Sequence, residues 1–159
     1  MRLAISLIIA GALVSVSCTP KVDLTKGLQV VDVSTGWADI GVINGQNKLV
    51  PSVAFKFKNV GDQLLSTLQA NVVFRRVNED KEWGSMFVRI SGAEGLAPGA
   101  TSEAQRVDSQ LGYTGTEPRQ QMLDNTQFVD AKVQIFAKYS STQWQLVGES
   151  VVERRLLAK

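Results

Sequence analysis

The stretch VAFKFKNVGDQLLSTLQANVVFRR, residues 53–76, contains two runs in which apolar and polar side chains alternate. The first run places Val53, Phe55 and Phe57 on one side and lysines on the other, and residues 68–74 repeat the pattern. Successive side chains of a β-strand point to opposite faces, so each run predicts a strand with one buried face. The polar NVGD segment between them predicts a break.

The same alternation extends over most of the chain. Residues 37–43 alternate at Ala38, Ile40 and Val42, and Asn44-Gly45 after them is a dipeptide favoured in hairpin turns. Residues 128–139 alternate as well, with Val129 expected to point inward. Turn residues recur between short runs, and no long amphipathic helix interrupts them. The pattern predicts an all-β protein, an antiparallel β-sandwich of seven to nine strands. Its core is expected to include Val53, Phe55, Phe57, Val72, Phe74, Val133 and Ile135.

A family resemblance accompanies this pattern. A strand ending in Asn-x-Gly, a second strand running into a charged turn, Trp83 and the GLAPGATS loop at residues 95–102 follow one another. This arrangement resembles the Ig-like or fibronectin-like domains of bacterial envelope lipoproteins. The resemblance covers residues 53–107 and implies an Ig-like sandwich. It implies no particular activity, because this fold carries many unrelated functions.

The composition excludes several classes of function. Among 159 residues there is no histidine and one cysteine, and the net charge is +2. A Ser-His-Asp triad, a Cys-His pair, a histidine metal site and an intrachain disulfide therefore cannot form. The balanced charge argues against nucleic-acid binding. No catalytic residue, cofactor or metal site is predicted, and the acidic residues 78–82 are interpreted as a solvent-exposed turn.

The first eighteen residues predict a secretory signal. Arg2 precedes an apolar run, residues 3–16, that is too short to span a membrane. Ser15 and Ser17 are small residues before Cys18, so a cut after Ser17 would make Cys18 the new N-terminus. This arrangement resembles a bacterial lipoprotein signal, with Ser15 where that family usually has a large aliphatic residue. We therefore expect a signal peptide at residues 1–17, a lipidated Cys18 with a tether to residue 26, and one domain at residues 27–159.

This resemblance also implies a location. Acyl chains on Cys18 would hold the protein on a membrane without a spanning helix. In two-membrane bacteria an aspartate after the cysteine commonly signals retention in the inner membrane, and this chain has Thr19 there. We expect an outer-membrane lipoprotein that faces the periplasm.

Residues 112–124 interrupt the strand pattern. The segment GYTGTEP is rich in turn residues, and Pro118 precedes a predicted helical turn at residues 119–124. Tyr113 can stack on a ligand or partner, and Arg119 can pair with an anion, so these two residues are the candidate binding residues. The alternative is a structural crossover between the two sheets. Trp37 and Trp144 are expected in the core.

Three functions remain compatible with the sequence. The first is a non-enzymatic, lipid-anchored module that binds or supports a protein partner in the cell envelope, and we favour it. The second is a lipoprotein that recognises a glycan, a peptide or a lipid through residues 112–124. The third is an enzyme that uses carboxylates alone, which the missing histidine and cysteine chemistry disfavours.

The lipid anchor can be tested directly. We expect labelled fatty acid to enter the wild-type chain and not Cys18→Ala, because Cys18 is the only thiol available for acylation. The variant is expected in the soluble envelope fraction or as an uncleaved precursor. Equal labelling of both proteins would contradict the assignment.

Overall fold

A computed structural model describes residues 20–158 of the protein. The predicted signal peptide and the predicted lipidation site, Cys18, lie outside these residues. No helix among the described residues has the length and apolarity that a membrane span requires.

Eight strands and two short helices form the described chain. Helix α1 spans Leu24–Gly27 and helix α2 spans Arg119–Asp124. The strands are β1 (Leu28–Ile43), β2 (Gln46–Asn59), β3 (Gln69–Arg76), β4 (Glu82–Arg89), β5 (Gln105–Asp108), β6 (Tyr113–Gly115), β7 (Ala131–Lys138) and β8 (Gln145–Val151).

The strands form two antiparallel sheets that pack as a sandwich. One sheet has the order β1-β2-β5, with the short strand β6 also paired to β2, and the other has the order β4-β3-β7-β8. These orders correspond to the A-B-E and C′-C-F-G sheets of an Ig-like sandwich. The predicted all-β sandwich is therefore confirmed, with eight strands.

The core lies between the two sheets and is built by the alternating runs. All seven residues that the sequence predicted to be buried are at most 3% exposed. In β3 and β7 the inward side chains face each other in register, with Val72 opposite Ile135 and Phe74 opposite Val133. Directly opposed apolar side chains of this kind are the units that stabilise a sheet. The period-two pattern therefore fixes both the strands and their buried faces.

The folded domain begins earlier than the sequence predicted. Residues 18–26 were expected to form a tether, yet Leu24 is fully buried in the core. Asp23 caps helix α1, and hydrogen bonds from the Thr25 hydroxyl and backbone N–H lower the pKa of the Asp23 carboxyl. The buried leucine among polar neighbours holds this segment on the domain. The segment from Val22 to Gly27 therefore belongs to the folded domain.

The β1–β2 hairpin extends beyond the core. Asn44 and Gly45 both have positive φ, 52° and 76°, as a type I′ turn requires, so the predicted hairpin is confirmed. Ile40 and Val42 in this hairpin are 46% and 63% exposed. Their alternation is real, but the opposite sheet does not reach this part of the hairpin. Val129 was expected to point inward. Strand β7, however, begins only at Ala131, and Val129 is 37% exposed.

Truncation of a core phenylalanine tests this packing. We expect Phe74→Ala to lower the free energy of unfolding by about 3–5 kcal/mol, because the ring is fully buried and leaves a cavity. Phe87 is 57% exposed in the neighbouring strand and provides the control, with a loss below about 1 kcal/mol in Phe87→Ala. Denaturant unfolding measures both values, and similar losses would contradict the assigned faces.

Candidate functional site

The sandwich has two ends with different contents. At one end, which we call the N-terminal end, the Pro20 carbonyl accepts a hydrogen bond from the Gln63 side chain, and the Val22 N–H donates to the Tyr139 hydroxyl. At the other end, the hairpin end, lie the Asn44-Gly45 turn, strand β6 and the segment before β7. Strand β7 runs between the two ends, and its eight residues separate them by about 25 Å.

Four aromatic rings pack together at the hairpin end. Trp37 is fully buried and lies 4.7 Å from the Phe128 ring, 5.7 Å from Tyr113 and 6.2 Å from Trp83, measured between ring centroids. Tyr113 also contacts Phe128 and Trp83 at 4.7 and 5.0 Å. These spacings are those of favourable aromatic pairs. The cluster joins the two sheets at this end.

Tyr113 is placed by its strand as well as by its ring. In β6 it pairs with Leu49 of β2, and its hydroxyl donates a 3.0 Å hydrogen bond to the Val129 carbonyl. At the preceding Gly112 a Cβ would overlap the Leu49 carbonyl oxygen, so glycine is required for this close approach. The ring is half-buried. Tyr113 is thus part of the packed structure and still has one accessible side.

A cavity of about 260 Å³ opens beside this accessible side. Its volume is slightly below the usual range of small-molecule sites. Its wall combines two aromatic rings, a thioether and several carboxylate, amide and hydroxyl groups. The lining residues are Tyr113, Thr114, Glu117, Met122, Asn125, Gln127 and Phe128.

Arg119 points to β1 and does not line this cavity. Its Nε lies 2.6 Å from the Asp39 carboxylate, which also accepts a hydrogen bond from the Gly41 N–H. Helix α2 itself buries Met122 and Leu123, which fits a structural crossover. The two predicted binding residues are therefore on the same segment but serve different surroundings, and their role in binding stays a prediction.

Arg154 connects the segment after β8 to the hairpin end of the sandwich. Its Nε lies 2.6 Å from the Asp130 carboxylate, its Nη2 donates to the Phe128 carbonyl, and its guanidinium lies 5.0 Å from the Phe128 ring. The hydrogen bond to Asp130 raises the pKa of the Arg154 guanidinium. The arginine therefore holds the cavity wall to the C-terminal segment.

The hairpin tip carries exposed apolar side chains. Ile40, Val42 and Ile43 are 46%, 63% and 41% exposed, and β1 is paired there only with β2 among the described residues. An open strand edge with β-branched side chains is a surface to which another chain can add. Alternation alone does not indicate this surface, because it does not report how far the opposite sheet extends. The length of the hairpin past residue 37, next to the Asn-Gly turn, was the available signal.

Trp144 lies on the surface and not in the core. The sequence analysis placed it in the core, whereas it is 39% exposed just before β8. Its ring contacts Phe87 at 6.2 Å, and the Lys138 ammonium lies 5.0 Å above it. Trp144 therefore lies beside the outer face of the β4-β3-β7-β8 sheet.

The acidic turn after β3 has a simple environment. Glu79 pairs with Arg76 at 3.0 Å, and the Arg76 guanidinium lies 5.8 Å from the Trp83 ring. Within residues 20–158, no three acidic or cysteine side chains come close enough together to hold a metal ion.

Comparisons with known proteins add the following. No family model matches the chain, and no curated protein matches it. Among solved structures, the chain is similar to a structural genomics target named SoR45, with 12% identity, a TM-score of 0.46, and coverage of 81% of this chain and 88% of that chain. It is also similar to the putative ApaA protein from Bordetella pertussis, with 13% identity, a TM-score of 0.47, and coverage of 80% and 93%. These likenesses are too distant to say anything of function.

The packing of Tyr113 can be separated from its hydroxyl. We expect Tyr113→Ala to lower the free energy of unfolding by about 2–4 kcal/mol, since the ring contacts three other aromatic rings. Tyr113→Phe keeps the ring and loses only the hydrogen bond to Val129, for which we expect about 0.5–1.5 kcal/mol. Denaturant unfolding measures both. Equal losses would mean that the ring contacts contribute little.

Proposed function

We propose that this protein is a lipid-anchored, non-enzymatic module of the cell envelope that binds a protein partner through its hairpin end. Cys18 would carry the lipid, and the membrane in question would be the outer membrane, with the domain on the periplasmic side. The observation that carries the proposal is the exposed apolar hairpin tip at the end opposite to the one where the chain leaves for Cys18.

The chemistry of the tip favours a protein partner. Ile40, Val42 and Ile43 are flanked by the uncharged residues Asn44 and Gly45. Apolar side chains on an open strand edge bind another chain through main-chain hydrogen bonds together with side-chain burial. An isolated exposed residue is ordinary, whereas this hairpin exposes three β-branched apolar residues on its two faces, which favours contact with another protein.

The position of the tip favours the same function. Pro20 is two residues from Cys18, so the lipid would attach within about 7 Å of the N-terminal end. The tip would then be held away from the membrane by the length of the sandwich. A partner in the periplasm reaches such a surface without competing with the bilayer.

A second candidate is recognition of a small ligand in the cavity beside Tyr113. The cavity of about 260 Å³ and its mixed lining favour it. The ligand would be a glycan, a peptide or a lipid fragment that stacks on Tyr113 and bonds to Glu117 or Gln127. Glu117→Ala would abolish such binding without affecting a partner held by the hairpin tip.

Site-specific photo-crosslinking tests the main proposal. A benzophenone amino acid at position 42 in cells is expected to give an adduct of discrete mass, and Ile40→Lys is expected to reduce it at least about tenfold, because a charge replaces a buried interface side chain. The matched control is the same amino acid at position 33, where Val33 of the same strand is 43% exposed but outside the tip. Equal adducts at both positions, or none at position 42, would contradict the proposal.

A further inference from the structure

The outer face of the β4-β3-β7-β8 sheet carries a row of three apolar side chains and one asparagine that runs across the four strands. Phe87 is opposite Asn71, Asn71 is opposite Phe136, and Phe136 is opposite Leu146. Directly opposed residues share a face, and in β7 the other face is the buried one, so this row points away from the core. Phe87 and Leu146 are 57% and 43% exposed.

A cationic row lies next to it, one step closer to the N-terminal end. Gln69 of β3 is opposite both Arg89 and Lys138. Trp144 lies beside them, with the Lys138 ammonium over its ring and the Phe87 ring at its edge. We call this group the aromatic corner: Phe87, Arg89, Phe136, Lys138, Trp144 and Leu146. It contains two cations, and Glu94 lies close enough to Arg89 for the two charges to interact.

The aromatic corner is adjacent to the point where the chain leaves the domain. Gln145 follows Trp144 directly, and its side-chain oxygen accepts a hydrogen bond from the Leu24 N–H. The Val22 N–H donates to Tyr139, the residue after Lys138. Residues 22 and 24 therefore lie at the same end of the sandwich as the corner, where Pro20 contacts Gln63. Residue 18 can lie only about 7 Å from residue 20.

We infer that the aromatic corner rests on an anionic phospholipid surface and orients the domain on its membrane, an inference that depends on the proposed lipid anchor. A tryptophan with lysine and arginine next to it suits the boundary between headgroups and acyl chains. The two cations attract anionic headgroups, and Phe87 and Leu146 bury apolar surface below them. A corner held this close to an acylated cysteine meets lipid at a high effective concentration.

Fluorescence quenching tests the inference on the acylated protein reconstituted in vesicles of phosphatidylglycerol and acyl-brominated phosphatidylcholine. Trp37 and Trp83 lie at the hairpin end, so only Trp144 of the three tryptophans is expected to reach the quencher. We expect a loss of about one third of the tryptophan emission in the wild type and almost none in Trp144→Ser. Val129→Ser, an exposed apolar residue at the hairpin end, is the matched control and is expected to behave as the wild type.

Two further changes test the role of anionic lipid. Arg89→Gln with Lys138→Gln, or vesicles without phosphatidylglycerol, are expected to reduce the quenching, and unchanged quenching would contradict the role of anionic lipid. Equal emission loss in the wild type and Trp144→Ser would overturn the inference. The same result is expected if another protein covers the corner, and it would overturn the inference as well. The anchor is measured separately: an acylated protein that sediments with vesicles but shows no Trp144 quenching contradicts the docking alone, and a chain without acyl groups contradicts the proposed function.

Discussion

The burial of alternate side chains between two sheets is the constraint on which the other features depend. Phe55 and Phe57 of β2 enter the same core as Phe74 of β3, and the register between β3 and β7 follows from it. A shift by one residue would turn every buried phenylalanine to the solvent. Because the inner faces are fixed in this way, the outer row from Phe87 to Leu146 and the position of Tyr113 in the aromatic cluster are fixed as well.

The sequence predicts the core better than the surface, and the reason is physical. Alternation reports that a strand has two unlike faces, as in β2, β3 and β7, where every predicted core residue is buried. It does not report how far the opposite sheet extends, so the alternation of Ile40 and Val42 does not indicate that their hairpin projects past that sheet. The prediction that Trp144 lies in the core was wrong for a related reason. A large apolar side chain is usually buried, and the sequence alone does not show that this one lies on an outer face. The contact of Arg119 with Asp39 joins residues 80 positions apart, and no local pattern indicates such a pair.

The two ends of the sandwich have different roles in the proposed function. At the N-terminal end, Leu24 buried in the core and the Val22–Tyr139 hydrogen bond fix the direction in which the chain leaves the domain. At the hairpin end, the Trp37 cluster and the Arg154–Asp130 pair make a rigid base for the exposed tip and the cavity. Binding surfaces on rigid elements lose little conformational entropy when a partner binds. In the proposed function, attachment and recognition would be separated by the length of one strand.

The orientation that we infer for the domain on a membrane can be measured by energy transfer to an acceptor in the lipid headgroups. Cys18 is the only native cysteine and is acylated in this account, so one donor can be placed at Ser141→Cys in the β7–β8 turn or at Gln46→Cys in the hairpin. We predict that the donor at position 141 lies close to the headgroups and that the donor at position 46 lies about 25 Å further away. Equal distances, or a hairpin closer to the membrane than the β7–β8 turn, would contradict the account.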